Sequence, residues 1–278
     1  MSTYIIKSYA KINLSLNVVG KLKNGLHKIE SIVTFLKLSD KIKIKRIKDK
    51  KNKVIFSGKF SKNIPKRNTV SVLLDLLKKK KYLKNKKYQI NIIKNIPQMS
   101  GMGGGSMNAA SILRFFIKKK IILLKKKEAQ SICNQIGADV ILGLENKNSI
   151  IYPSGNIVRN NKKLGLYVLL AKPNFGCSTK EIYRNLRSFS KKSGKKDFRL
   201  VNLKRCQNDL EKVALKKYPR LLSLKKRMIK LSNVLFVRMS GSGSSMIGYF
   251  SSKKAVINAK KILQRKYKKY WFASSKTI

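Results

Sequence analysis

From Ala10 to Val18 the chain alternates without a break: Ile12, Leu14, Leu16 and Val18 fall on one side, and Lys11, Asn13, Ser15 and Asn17 on the other. A repeat of two marks a strand, because successive side chains point to opposite faces. If the apolar face is buried, the opposite face carries a cation and two amides in a row. "DKIKIKRI" and "NKVIFSG" predict short strands with charged outer faces, and "KYQINIIKNIP" predicts a strand that Pro97 ends. The spacing becomes helical in "NTVSVLLDLLKKKK", where Val70, Leu73, Leu74 and Leu77 share a side. It is helical again from Ala109, which Ile112, Leu113 and Phe116 follow at i+3, i+4 and i+7; this helix is expected to begin near Ser106 or Asn108, both good capping types. A further helix carries Ala129, Ile132, Cys133 and Ile136 on its apolar side and stops at Gly137, with Asp139 immediately beyond.

Downstream, "YVLLAKP" predicts a strand, the polar stretch from Phe189 to Lys196 a mobile loop, and "NDLEKVALKKY" and "LLSLKKRMIKL" helices. "NVLFVRMSGSGSSMIGYF" reads as strand, small-residue turn, strand. No fixed-period repeat points to a solenoid. Strands and helices mix without regular alternation, which favours an α+β fold. A boundary near residue 158 is expected, dividing the chain into domains 1–158 and 159–278.

Composition changes the picture in two ways. With 278 residues the chain can bury a large core, and it holds no apolar run near the roughly 20 residues that cross a bilayer. Its first residues lack the pattern of a secretory signal, so a cytoplasmic protein with no membrane partner is expected. Cys133, Cys177 and Cys206 are odd in number and far apart, which points to small buried hydrophobes and away from a disulfide framework or a zinc site. The charge is extreme, 66 Lys and Arg against 11 Asp and Glu, a formal +55. The lysines run through the whole length and form no single stripe or tail. Drift of codons toward A and T explains them better than a specific nucleic-acid partner, although the field should still attract polyanions. Against this background each acid in an apolar setting is informative, and Asp139 in "QIGADVILG" is one.

The run "QMSGMGGGSMNAA", between a strand and a helix, offers bare backbone. A Walker A loop requires Gly-Lys-Ser/Thr at its end, but Gly105 is followed by Ser106 and Met107. A dinucleotide fingerprint requires a third glycine where Ser106 stands. Protein-kinase motifs are excluded, because the only histidine is His27. What fits is an anion cradle: open N–H groups at a helix N-terminus that carries partial positive charge.

"PQMSGMGGGSMNAA" resembles the ATP loop P-x-x-x-G-L-G-S/G-S-S-A/N of the GHMP kinases, the superfamily of galactokinase, homoserine kinase and mevalonate kinase. "AKINLSL" resembles the first motif of that family and "MSGSGSSMIGYF" the third, so the likeness spans nearly the whole chain. "AKINL", "NGLH", "IGADV", "KPNFGCSTKEIY" and "NDLE" together are most similar to members that phosphorylate the 2-hydroxyl of a cytidine-diphosphate-linked methylerythritol for isoprenoid precursors.

The resemblance implies a two-domain α+β GHMP-kinase-like fold with its active site in the cleft between domains, ATP and Mg²⁺ as cofactors, and a small cytidine diphosphate substrate. It implies Lys11 and Asp139 as the catalytic pair, in which pairing with Lys11 would keep Asp139 ionised. Pro97, Gln98, Met99, Ser100, Gly101, Met102, Gly103, Gly104, Gly105, Ser106 and Met107 would wrap the triphosphate, with Ser106 reaching Mg²⁺, and Asn68 and Lys94 would lie near the adenine. At the cytidine end His27 would hydrogen-bond the base and Tyr183 stack on it, with Thr179 nearby and Asn13 in contact with substrate. The assembly would be a monomer or homodimer. The chain departs from the family at Leu26, at Ile141 and in the eroded segment "NSIIYPSGNIV". Two alternatives stand: another GHMP kinase acting on a sugar, homoserine or mevalonate, or a basic nucleic-acid-binding protein.

Overall fold

The computed structural model describes residues 2–22, 25–191 and 196–278. In chain order it holds β1 (Thr3–Lys21), β2 (His27–Ile47), β3 (Lys53–Ser57), α1 (Thr69–Lys79), β4 (Lys87–Ile93), α2 (Gly104–Lys118), α3 (Lys126–Ile136), a 3-10 helix (Val140–Leu144), β5 (Asn148–Ile151) and β6 (Ile157–Asn160). Then follow β7 (Tyr167–Lys172), α4 (Thr179–Arg184), α5 (Leu200–Arg205), α6 (Asp209–Lys217), α7 (Pro219–Ile229), β8 (Val234–Met239), β9 (Met246–Phe250), α8 (Lys253–Lys266) and β10 (Trp271–Lys276). They sort into two compact units: residues 2–10, 38–98 and 103–146 in the first, and 11–37, 99–102 and 147–278 in the second. β1 and β2 each contribute one part to either unit. Residue 158, where a boundary was expected, lies in β6, which pairs with β5 through Ile150 and Val158 inside the second unit.

In the first unit β3 and β4 run parallel, with Val54 opposite Ile90 and Phe56 opposite Ile92, and α1 supplies the crossover that parallel neighbours require. The later part of β2 lies antiparallel on the other side of β4, Ile42 against Ile92 and Ile44 against Ile90. These isoleucines are buried, as are Val70, Leu73, Leu74 and Leu77 of α1 and Ala109, Ile112, Leu113 and Phe116 of α2, and all belong to one core. Each fully buried Leu, Ile or Phe there contributes about 1.5–3 kcal/mol over an exposed one. α3 ends at Gly137, whose N–H donates to the carbonyl of Cys133 at 3.0 Å. α2 begins at Gly104, earlier than the expected start at Ser106 or Asn108: Gly103 takes a left-handed conformation, φ 66° and ψ 19°, and turns the chain into the helix itself. Ser106 is therefore in the first turn, and Asn108 is buried inside the helix.

In the second unit the first part of β2 pairs with β5, Ser31 opposite Ile151, and an antiparallel sheet runs in the order β10-β7-β9-β8. Its core draws on β7, β9, α6, α7 and α8, with Leu169, Phe250, Leu210, Leu224 and Leu263 buried together. In β1 both faces are buried: Ile12, Leu14, Leu16 and Val18 on one side, Lys11, Asn13 and Ser15 on the other. The polar face is thus an interior one, and its groups need partners. Arg238, also buried, donates to the carbonyls of Leu14, Leu203, Lys204 and Cys206, tying β1 to the end of α5. Of the polar stretch expected to be a loop, residues 192–195 lie outside the described residues, as does Asn24 before His27.

Among the described residues no helix is long and apolar enough to cross a membrane. The three cysteines are free thiols, and burial pushes Cys133 up to about 12 and Cys177 to about 11.

Candidate active site

The glycine run is not one uniform loop. Gln98 anchors its entry by donating from Nε2 to the carbonyls of Phe60 at 3.0 Å and Lys62 at 2.7 Å, while Pro97 before it is buried. Met99 to Met102 lie along the turn between β8 and β9. There Ser244 N donates to Met99 O at 3.3 Å, Ser245 N to Ser100 O at 3.4 Å, and Ser240 Oγ to Gly101 O at 2.8 Å. A Cβ on Gly101 would sit 2.0 Å from the Ser240 carbonyl oxygen, and its φ is +71°, so only glycine fits this approach. Met102 and Met107 are fully buried.

From Gly103 the run changes character. α2 has no side-chain cap at its N-terminus, so the amides of its first turn are left to a ligand or to water. A Cβ on Gly104 would come within 3.1 Å of Ile96 Cγ2 and 3.2 Å of Lys94 Nζ, and one on Gly105 within 3.2 Å of Thr69 Oγ1. Thr69 Oγ1 donates to the Gly105 carbonyl at 2.7 Å, which holds the turn open. Ser106 stands in this turn with its side chain half-buried.

The two residues expected near the adenine are already engaged. Asn68 caps α1: its Oδ1 accepts from Val70 N at 3.0 Å and Ser71 N at 3.2 Å, and its Nδ2 donates to Pro65 O and Lys66 O. Lys94 is buried, with Nζ paired to Asp40.

Lys11 is 4 % exposed and donates from Nζ to Asn13 Oδ1 at 3.0 Å, while its own N–H donates to Met102 O at 3.1 Å. Asn13 Nδ2 donates to Ser31 Oγ at 2.8 Å, and Asn13 N to Ser240 Oγ at 3.2 Å. The structure therefore gathers Lys11, Asn13, Gly101 and Met102 into one network whose hub, Ser240, was not singled out in the sequence. Asp139 lies between α3 and the 3-10 helix, half-buried, and its side chain makes no capping bond to that helix.

Also in the second unit, the rings of His27 and Tyr183 lie 4.5 Å apart with 31° between their planes. Phe189 stands edge-on to His27 at 6.3 Å. The Nε2 of His27 is buried without a hydrogen-bond partner, and burial, with Lys21 second, lowers the ring's pKa from 6.5. Thr179, at the start of α4, is 2.8 Å from Ser242 by the two hydroxyls. Leu26 is 61 % exposed and Ile141 packs against the first core. Sequence reasoning missed Ser240, Ser242, Phe189 and Asp40. The serines lay in a motif already recognised, whereas Asp40 is flanked by Ser39 and Lys41, which hide its burial.

By sequence, residues 68–147 match the GHMP kinases N terminal domain and residues 180–269 the GHMP kinases C terminal. The 4-diphosphocytidyl-2-C-methyl-D-erythritol kinase of Pelagibacter ubique (strain HTCC1062) is 52 % identical over 282 residues, covering 100 % of both chains. The protein of the same name from Clostridioides difficile (strain 630) is 34 % identical over 97 % of this chain and 94 % of its own. Among solved structures, a crystal structure of 4-(cytidine 5'-diphospho)-2C-methyl-D-erythritol kinase is similar with a TM-score of 0.78 at 22 % identity, covering 98 % of this chain and 99 % of that one.

Proposed function

The chain belongs to the GHMP kinase family, and from that premise we propose that it uses ATP to phosphorylate the 2-hydroxyl of 4-diphosphocytidyl-2-C-methyl-D-erythritol. This would be a cytoplasmic step of non-mevalonate isoprenoid precursor synthesis. The full-length likeness to relatives of that name supports the substrate. The geometric observation that carries the reading is at His27, where a buried Nε2 without a partner stands beside the Tyr183 ring. A nucleobase supplies both a hydrogen-bonding edge for the imidazole and a face for the tyrosine. Asn13 and Thr179 are assigned to the remainder of this substrate.

The first turn of α2 fits a triphosphate, because its amides are uncapped and its glycines leave no side chain in the way. The main chain of Gly103 to Ser106 is assigned to hold the phosphates, the Ser106 hydroxyl to hold Mg²⁺, and Pro97 to Met102, with Met107, to shape the loop. Asn68 and Lys94 serve the adenine side through the α1 cap and the internal ion pair already described. ATP would supply the γ-phosphoryl group, and a Mg²⁺ held at the Ser106 hydroxyl would supply neutralisation of its charge. Asp139 is assigned to orient the 2-hydroxyl and accept its proton, and Lys11 to stabilise the charge that develops. Both act by fixed position, which the Asn13 bond provides for Lys11.

A coupled ADP-release assay across the cytidine substrate, galactose, homoserine and mevalonate tests this. ADP release with the cytidine alcohol alone is expected. Release with another alcohol instead transfers the chain to that substrate class, and release with none ends the kinase reading and favours the basic nucleic-acid-binding alternative.

A further inference from the structure

We infer that Asp40 is the positioning residue of the nucleotide loop, one carboxylate that fixes both the chain entering the glycine run and the helix leaving it. This rests on the kinase reading above. Asp40 is completely buried in a chain that holds only 11 acids. Its Oδ1 accepts from the main-chain N–H of Asn95 at 2.7 Å and of Ile96 at 2.8 Å, the two residues before Pro97. Its Oδ2 accepts from Lys94 Nζ and, at 3.0 Å, from Asn108 Nδ2, one turn into α2. Four donors thus meet the roughly four lone-pair sites of a carboxylate. Three come from the strand end before the run and one from the helix after it.

The Asn108 link has the character of a placed contact. Its side chain is buried inside a helix, where an alanine would avoid any polar desolvation, and its Oδ1 has no partner. The bond to Asp40 is what that amide gains. Lys94 shows why an acid is needed. Its ammonium lies close against Gly104, under a helix N-terminus that already carries partial positive charge. Unpaired, it would push the first turn of α2 away; paired with Asp40, it lets that turn pack closely. Asp40 touches no reacting atom and acts through the two stems of the loop.

The test uses Asn108→Ala, which removes the helix-side link and leaves the buried ion pair intact, Asp40→Asn, and the double variant. ATP affinity is measured by calorimetric titration and by KM, and the KM of the cytidine substrate is measured alongside. About tenfold weaker ATP binding is expected for Asn108→Ala, and at least as much for Asp40→Asn, with the KM of the cytidine substrate within twofold of the parent. Adding Asn108→Ala to Asp40→Asn should weaken ATP binding by less than twofold, because the link is already lost. ATP affinity within twofold of the parent in Asn108→Ala overturns the inference even if Asp40→Asn fails to fold. Equal loss of affinity for both substrates also overturns it, since that pattern marks general destabilisation. A parent that binds ATP but does not phosphorylate the cytidine substrate refutes the substrate assignment alone, and the ATP titrations still decide the role of Asp40. A parent that binds no ATP refutes both.

Discussion

In the first unit, Gly103 to Ser106 offer mostly main chain, Thr69 bonds to the Gly105 carbonyl, and the side chains of Lys94 and Asn108 turn inward to Asp40. In the second, Lys11, Asn13, His27, Thr179 and Tyr183 offer side chains, held through bonds to Ser31, Ser240 and Ser242 and through ring contacts. The contrast follows from the proposed ligands. Phosphates carry diffuse charge on every oxygen and are met by oriented amides, whereas a base and a particular hydroxyl require directional groups. The first region should therefore be damaged by adding atoms, and the second by removing them.

The largest effect should come from Asp139→Asn, with turnover lower by about 10²–10⁴-fold and ATP binding nearly intact. Wild-type turnover in that variant would strike Asp139 from the mechanism. Next comes the crowding of the glycine run at Gly101, which belongs to the second unit but, like Gly103 to Gly105, offers main chain alone. Gly101→Ala places a Cβ against the Ser240 carbonyl and should cost about 3 kcal/mol in urea unfolding. Gly155→Ala also has positive φ, +87°, but meets nothing within 4 Å and should cost about 1 kcal/mol of backbone strain. Equal losses would mean that close approach is not what glycine serves at position 101.

On the side-chain side, Tyr183→Ala and His27→Ala should each raise the KM of the cytidine substrate about tenfold, as expected for an aromatic contact worth about 1.4 kcal/mol, with the KM of ATP unchanged. An unchanged KM for the cytidine substrate would remove that pair from base recognition. The smallest effect concerns protonation. His27 is the only histidine, so one titrating NMR signal reports it, and its midpoint should lie below the ordinary 6.5. Because the unfolded chain takes up this proton at higher pH than the folded one, the contribution to stability is complete above 6.5 and is lost as pH falls through 6.5 toward the lowered folded value. The loss should be small for a half-buried ring. A midpoint at or above 6.5 would show that burial does not dominate there.

Much of the fold around the candidate site was legible where the signal is local. The helical spacing of Val70, Leu73, Leu74 and Leu77 marked α1, the stop at Gly137 placed Asp139 just beyond α3, and the glycine run stood between β4 and α2 as expected. Less legible was anything that depends on a distant partner. The burial of Lys94 was hidden because its pairing with Asp40 joins residues 54 apart, and the start of α2 was displaced because no neighbour of Gly103 announces its left-handed turn.

By itself the sequence determined the periodic elements, the bare amides of the glycine run and the residue types proposed for phosphoryl transfer, since each is written within a few consecutive positions. Tertiary structure decided that the polar face of β1 would be buried, which lysines among so many would meet an acid inside, and how β1 and β2 are shared between two units. Burial is a property of the segments that come together, and local pattern carries no record of which those are.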